Sequence, residues 1–555
     1  MNTETPFVAL EIHDESMWTP SMVTKAIATM KAYGYNALIL HQNDLLDICT
    51  QVGDPPNFGV YDLRRKKVRN RIAALRRMIA ELDTFGAKLY LQVKEPSHAD
   101  YVRELDAYSS MFTADGRADP ASPAFIDLCR AKTRAIVNDL PGLGGMIINI
   151  SSPESRVSMP DHHATQGMGV SLDGWFDAMI EAFHAPLRHK GMNLFVRDFS
   201  YTKDMQNGVM AAVDRCNGAV GASIKVTAHD YFPKAAQNPS IGAVKAPMIV
   251  ETDTSGEHMG WNVLPNCRVA EMAERLRSVR AAGARGVVTR VSWEAIPGRH
   301  AMDTLGDVNV YAYARLARED VAPETLVADW LAVRFGVAQD SEVSRRTTAL
   351  LLESWHVIAD AAYWNDKVFP RHSRLPSSWQ EGLHSMATTG MGSRNQAAPP
   401  PFDEQNPEKL FAIKDQAVAT ADRLAAEAAA LAPQLPPELG YMLHDSFKLL
   451  PAYARQFQLA TKGAYHAAAF AATGDPVSWA ACMELRDALL KHTDSMEAEL
   501  ATYIDPPYPL LVLFDCDHAR GYAASLIPGA HAGLVPELPA VPDASAPACT
   551  ASPAA

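Results

Sequence analysis

Between Phe7 and about Leu316 the chain repeats one pattern eight times: a short apolar run, then a longer amphipathic segment. The runs are Val8–Ile12, Ala37–His41, Lys88–Val93, Gly145–Ile150, Asn193–Val196, Ser223–Thr227, Met248–Glu251 and Gly286–Val291. They are mostly continuous rather than alternating, as parallel strands must be when both faces are buried. Between them, helical spacing runs over Ser21–Tyr33, Arg69–Phe85, Trp175–His189 and Val269–Ala282, with Gly34, Gly86 and Gly283 placed to stop helices. Eight strands alternating with helices over about 300 residues is the count of a (β/α)8 barrel. A doubly wound open sheet would usually carry a Gly-rich phosphate loop after its first strand. The residues after Ile12 read His13-Asp14-Glu15-Ser16-Met17-Trp18 instead. The expected fold is therefore α/β, a (β/α)8 TIM barrel, followed by a C-terminal all-helical domain.

The second part of that expectation rests on a change of character after about Glu319. Residues 321–530 are rich in Ala, Leu and Glu at helical spacing, as in Glu408–Leu431 and Pro476–Leu500, apart from a Pro/Gly/Ser-rich interruption at about 370–404. The expected organisation is a barrel over 1–320, a helical domain over 321–530, and a Pro/Ala-rich disordered tail over 531–555.

Charge narrows the function. The 51 basic and 64 acidic residues leave a net charge of −13, the wrong sign for displacing counterions from nucleic acid or docking on an anionic membrane. No apolar stretch approaches the roughly 18–20 residues that span a bilayer, and Met1–Phe7 has no signal-peptide pattern. Cys49, Cys129, Cys216, Cys267, Cys482, Cys516 and Cys549 are scattered and odd in number, without a Cys-x-x-Cys pair. They read as idle thiols of a cytoplasmic enzyme.

In a barrel, chemistry sits where the strands run out at their C-terminal ends. The polar residues there are His13, Asp14 and Glu15; His41, Gln42, Asn43 and Asp44; Lys94 and Glu95; and Ser151, Ser152 and Glu154. The second half of the pattern adds Arg197 and Asp198; Lys225, His229 and Asp230; Glu251, Asp253 and Glu257; and Arg290, Trp293 and Glu294. Carboxylates, cations and aromatic side chains on one rim suit glycosidic bond cleavage. That reaction needs one carboxylic acid to protonate the leaving oxygen and a second carboxylate to act on the anomeric carbon or on water. Spacing alone does not select the working pair. Asp161-His162-His163 resembles a ligand cluster, but adjacent residues rarely point at one ion and no His-Glu-x-x-His pattern occurs, so neither metal nor cofactor is expected. No Gly-x-Ser-x-Gly elbow is present.

The order of motifs resembles the α-glucuronidases of glycoside hydrolase family 67, inverting, cofactor-free enzymes that remove terminal glucuronic acid from xylo-oligosaccharides. Met146–Glu154 (MIINISSPE) is similar to the segment that carries the family's general acid, which implies that role for Glu154. Val196–Tyr201 (VRDFSY) resembles Trp-Arg-Ala-Phe-Val-Tyr, whose arginine binds the substrate carboxylate, here Arg197. Ile224–Pro233 (IKVTAHDYFP) resembles the stretch with a uronate-contacting lysine and a water-activating aspartate, here Lys225 and Asp230. Ala246–Gly260 (APMIVETDTSGEHMG) resembles the segment whose Gln-Glu-Tyr supplies a second water-activating carboxylate, here Glu257. Asn309–Asp320 (NVYAYARLARED) is similar to the run leading into the family's helical domain.

The sequence also departs from that pattern. Ile150 stands where the family has a second uronate-binding lysine, and Gly256-Glu257-His258 replaces Gln-Glu-Tyr. The loop Trp293–Asp307 does not reproduce the family's Asn-Trp-Thr-Gly-His, and the first strand begins almost at the start, leaving no room for the family's N-terminal domain.

The reading that follows is an exo-acting, inverting hydrolase of a terminal, α-linked uronic acid on an oligosaccharide. Glu154 is its acid, with Asp230 and Glu257 as the water-activating pair. Arg197 and Lys225 are its carboxylate clamp. His229, Glu251, Trp293, Trp18, His13 and Asn43 complete the substrate-binding set, and Trp261 is a further stacking candidate. A homodimer through the helical domain is implied by the resemblance alone. The alternatives are a glycosidase for a neutral sugar, with Arg197 and Lys225 only positioning carboxylates, and a non-catalytic sugar-binding barrel.

Overall fold

A computed structural model describes residues 6–53, 58–152, 157, 171–200, 203–228, 230–364, 367–388 and 407–527. Its strands are β1 (Phe7–Ile12), β2 (Ala37–His41), β3 (Lys88–Lys94), β4 (Gly145–Asn149), β5 (Asn193–Asp198), β6 (Gly221–Lys225), β7 (Met248–Asp253) and β8 (Gly286–Arg290). Each pairs in parallel with the next, and β8 pairs with β1, closing an eight-stranded barrel. The sequence places all eight within a few residues. The largest slip is at β6, expected at Ser223–Thr227. Thr227 leaves the barrel to bridge Gln237 in the following loop, so the strand ends at Lys225.

The pleat sends alternate side chains to opposite faces. One set, including Leu10, Leu38, Leu91, Ile148, Ile150, Val196, Ile224 and Val250, packs outward into the core shared with the helices. The other set, Ala9, Ala37, Ile39, Tyr90, Ile147, Phe195, Ile249 and Val288, forms a separate buried cluster inside the barrel, with Phe7 against it. Gly221 belongs to this packing, because a Cβ there would stand 2.6 Å from the Phe195 ring. One pleat further along, inward positions become polar: Glu11 and His13, His41, Gln92 and Lys94, Asn149, Arg197, Ser223 and Lys225, Glu251 and Asp253, and Arg290. All are buried.

Helices start and stop where local chemistry dictates. Pro20, Pro123 and Pro323 open helices at the position where a missing N–H costs nothing, and Gly34, Gly336 and Gly474 end them in the left-handed conformation. After β8 the described residues form helices and no further named strand: Asp307–Leu316, Pro323–Phe335, Glu342–Ala362, Trp379–Thr388, Pro407–Leu431, Pro437–Lys448, Leu450–Thr473, Pro476–Leu500, Tyr508–Leu513 and Cys516–Ser525. The described part of the Pro/Gly/Ser-rich stretch, up to Thr388, carries regular structure. Arg371 and Arg374 bridge each other in a tight turn, and Trp379–Thr388 is helical. No described helix is long and apolar enough to cross a membrane. Glu154, His229, the Asp161–His163 triplet and the tail 531–555 lie outside the described residues.

Candidate active site

The polar layer inside the barrel divides into two halves of different chemistry. On β5–β8, cations and carboxylates satisfy one another. Arg197 donates from Nε to both oxygens of Glu251, at 2.9 and 2.8 Å, and its Nη2 lies 2.7 Å from Oε2. Ser223 Oγ (2.7 Å) and the Tyr231 hydroxyl (3.0 Å) also donate to Glu251. Burial alone would raise the Glu251 pKa, but Arg197 overcomes it and holds the group below the usual carboxylate range. Arg197 is thus the partner of a carboxylate one layer below the mouth. Its chain neighbour Asp198 faces outward and accepts from Gln206 (2.6 Å) and Asn238 (3.2 Å).

Above that pair sit the two candidate bases. Asp230 accepts from Lys225 Nζ at 2.7 Å and from the Tyr231 N–H at 2.9 Å. Glu257 accepts from Arg290 Nη2 at 2.5 Å and lies 3.1 Å from His372 Nδ1. His258 Nε2 stands between them, 3.3 Å from Asp230 and 3.6 Å from Glu257. Both carboxyls are shifted down. For Asp230, burial is outweighed by Lys225 and His258. For Glu257, burial and the repulsion of Asp230 are outweighed by Arg290, His258 and His372. Both carboxylates are thereby in the proton-accepting form, and each is made a weaker base by the cations around it.

The loop carrying Glu257 is shaped by Asp253. Its Oδ1 accepts from the Ser255 N–H (2.9 Å) and from Arg290 Nε (3.0 Å); its Oδ2 accepts from the N–H groups of Gly256 and Glu257, both at 3.1 Å. Gly256 has φ +76°, so a glutamine there would be strained. The helical part of the chain closes the loop from the other side. The Ser373 hydroxyl accepts from the Gly260 N–H (2.9 Å) and donates to the Glu257 carbonyl (2.8 Å). Tyr363 donates to the His258 carbonyl (2.9 Å), and Tyr453 to the Ser373 carbonyl (2.9 Å). His372 and Ser373 reach these positions with φ of 45° and 65°, a costly conformation for non-glycine residues that the surrounding bonds hold in place.

On β1–β4 the picture reverses. His13 and His41 stack at 3.6 Å between centroids and 11° between planes, and His41 Nδ1 lies 2.7 Å from Glu11 Oε1. Glu294, 43% exposed on the rim, lies 3.7 Å from His13 Nε2 and 3.9 Å from Lys94, and accepts from Asn43 Nδ2 at 3.3 Å. Burial and the repulsion of Glu251 raise the Glu11 carboxyl to about 7, despite Arg197 and Arg290. Burial likewise holds both imidazoles well below their usual pKa, helped at His13 by Arg290 and Lys94.

The structure therefore gathers most of the predicted residues, in altered partnerships. Asp230 and Glu257 both lie against His258, while Lys225, expected in the clamp, is paired with Asp230; His13 and Asn43 lie across the mouth; Arg197 and Glu251 bind each other. Trp293 is half-buried beside His372, with 5.1 Å between ring centroids. Trp18 is half-buried on the β1–β2 side and donates to Gln42 at 3.2 Å. Trp261 is 3% exposed, with its Nε1 tied to the Glu257 carbonyl, so it packs the loop and offers no platform. Ile150 faces the helices, so this position points away from the mouth whatever residue occupies it. Lys94 of β3 points in, as does Lys225 of β6. Sequence reasoning missed Glu11 and His372. An acid inside the apolar run Phe7–Ile12 was the signal for the first; the second sits in a stretch whose composition reads as a linker.

Among the described residues, Glu11, His13 and His41 bring ligand-type atoms within 4.8 Å of one another, and so do Glu257, His258 and His372. In the second group Glu257 already accepts from Arg290 and lies 3.1 Å from His372.

No protein-family model matches the chain, and no curated protein matches its sequence. Among solved structures, a GH138 enzyme targeting pectin rhamnogalacturonan II matches with TM-score 0.62 at 12% identity, over 88% of this chain and 62% of that one. This chain thus spans less than two thirds of that protein's length, and the likeness is one of fold. A Thermobaculum terrenum O-GlcNAc hydrolase mutant (TM-score 0.45, 8% identity, 94% of each chain) is a more distant match. So is a GH115 4-O-methyl-α-glucuronidase with specificity for decorated arabinogalactans (TM-score 0.43, 9% identity, 88% of this chain and 59% of that one).

Proposed function

We propose that the protein is an exo-acting, inverting glycoside hydrolase that removes a terminal, α-linked uronic acid of the glucuronic type from an oligosaccharide. The observation that carries this reading is the pair Asp230 and Glu257, held ionised on either side of His258 at the mouth of a (β/α)8 barrel. In an inverting reaction, water adds to the anomeric carbon as the bond to the leaving oxygen breaks. The base takes a proton from water, and the acid gives one to the leaving oxygen. Asp230 and Glu257 suit the base; Glu154 is assigned the acid by its motif. With Arg197 committed to Glu251, the carboxylate of the sugar falls to Lys94 and to Lys225, whose remaining N–H groups are left by its hydrogen bond to Asp230. Their ammonium groups, on β3 and β6, lie 5.9 and 4.0 Å from the centre of the Phe199 ring.

One observation favours a second reading. Arg197 and Arg290 are both occupied by internal carboxylates, as in a site for a neutral sugar whose cations only position acids. Hydrolysis of α-linked aldouronic oligosaccharides, compared with their carboxyl-reduced forms, separates the two, with the product anomer followed by NMR. Rhamnogalacturonan II fragments belong in the same panel, on the strength of the shared fold. Equal rates on both forms would replace the uronate reading with the neutral one. Absence of sugar release, or wild-type rates in Glu154→Gln, would sink the mechanism. The dimer through the helical region is part of the same proposal, and sedimentation of the full chain tests it.

A further inference from the structure

We infer that the wall of the mouth built by β1–β4 reads the hydroxyl groups of the terminal sugar, with Glu11, His13, His41, Gln92 and Asn149 as its hydroxyl-binding residues. The ligand class rests on the glycosidase reading above. All five side chains are inward-facing and more than nine-tenths buried. Six of their polar atoms have no hydrogen-bond partner: Glu11 Oε2, His13 Nδ1 and Nε2, His41 Nε2, Gln92 Oε1 and Asn149 Nδ2. Leaving a buried polar atom unsatisfied is costly, and native proteins do so rarely. Five such side chains, on or just after four consecutive strands and facing a half-mouth in which every carboxylate has its cation, form a wall with hydrogen-bonding capacity to spare.

The chemistry of these atoms selects the ligand. Gln92 Oε1 only accepts and Asn149 Nδ2 only donates, while imidazole nitrogens and a carboxyl near its titration point do either. A hydroxyl both donates and accepts, so a sugar edge with vicinal hydroxyls can satisfy all of them. A carboxylate, which only accepts, has nothing to give Gln92. A metal ion has nothing to give Asn149. The stacking argues further against a metal. Each imidazole binds an ion in its own ring plane, and two nearly parallel planes at 3.6 Å share no such point. The lowered basicity of both rings keeps them neutral, as hydroxyl recognition requires and cation–uronate pairing does not. The sugar is thereby oriented, with its hydroxyl edge toward β1–β4 and its anomeric carbon toward β5–β8.

The test is calorimetric binding of monosaccharides to the full chain. The probes are glucuronic acid, galacturonic acid and glucose, then the 3-deoxy and 4-deoxy forms of the tightest binder. His13→Phe keeps the stacked ring and removes two unpartnered nitrogens without breaking a hydrogen bond; Gln92→Met is the second variant. The expected result is a combination that a merely structural role would not produce: thermal stability of His13→Phe held or raised, and sugar affinity weakened about tenfold or more. One deoxy sugar should lose affinity for wild type while binding His13→Phe and wild type alike. Wild-type affinity in both variants overturns the inference, as does absence of saturable binding to every probe. Stoichiometric Zn2+ binding that His13→Phe abolishes overturns it in favour of a metal site. Binding without hydrolysis keeps this inference and removes the glycosidase proposal; hydrolysis with an unchanged KM in His13→Phe does the reverse.

Discussion

The pairing of Arg197 with Glu251 makes a prediction that a substrate-clamping arginine would not. Both side chains are essentially inaccessible, and three N···O contacts between 2.7 and 2.9 Å join them. In Arg197→Met, Glu251 keeps only Ser223 and Tyr231 as donors, in a site closed to water. Breaking a buried pair from one side costs about 3–5 kcal/mol. The carboxyl can relieve part of this by taking a proton, at about 1.4 kcal/mol for each pH unit above its new pKa. The loss should therefore be larger at pH 8 than at pH 5. Replacing both partners, as in Arg197→Met with Glu251→Leu, removes the unpaired charge and should restore stability to within about 1–2 kcal/mol of wild type. Urea unfolding followed by near-UV circular dichroism, at both pH values, reads all three proteins. A single variant within about 1 kcal/mol of wild type, or a double variant no better than the single, would refute the assignment of Arg197 as a structural cation.

Three further predictions concern the carboxyls of the mouth. Glu257→Gln, which keeps size and removes the base, should lower kcat about 10²–10⁴-fold; a loss under about fivefold in stopped assays of sugar release would count against Glu257 as a base. Because Glu257 is needed ionised and its pKa is depressed partly by His372, activity is present above that pKa and lost as pH falls through it. His372→Asn should move this acid limb of the kcat/KM profile upward, and an unmoved limb would show that His372 does not act through Glu257. Glu11, raised from 4.5 to about 7 chiefly by burial, holds in the folded state a proton that the unfolded chain releases. Its effect on stability therefore becomes less favourable from about pH 4.5 to about pH 7 and is constant above, by roughly 3 kcal/mol at most. Glu11→Gln should lose this dependence in a pH series of unfolding midpoints; an unchanged slope would place the titration elsewhere.

What could be read along the chain was whatever local chemistry specifies. Apolar runs such as Ala37–His41 become strands because both faces must be dry, and Pro476–Leu500 becomes a helix because Asp475 caps it, accepting from the N–H groups of Val477 and Ser478. The count of eight then dictated closure, and closure placed Asp230 and Glu257 on one rim. Partnership was not legible, because it depends on which strands become neighbours in register and on which face each residue takes. Ile150 and Lys94 show this: motif order makes Ile150 the missing lysine, yet the pleat points Ile150 at the helices and Lys94 into the mouth. Arg197 stands beside Asp198 in the chain but binds Glu251, 54 residues away. His372 reaches Glu257 across 115 residues, from a stretch that looks like a linker. Propensity acts over a few residues and is written in them. Charge pairing acts through a few ångströms of space, and only the closed barrel with its helices decides which charges share them.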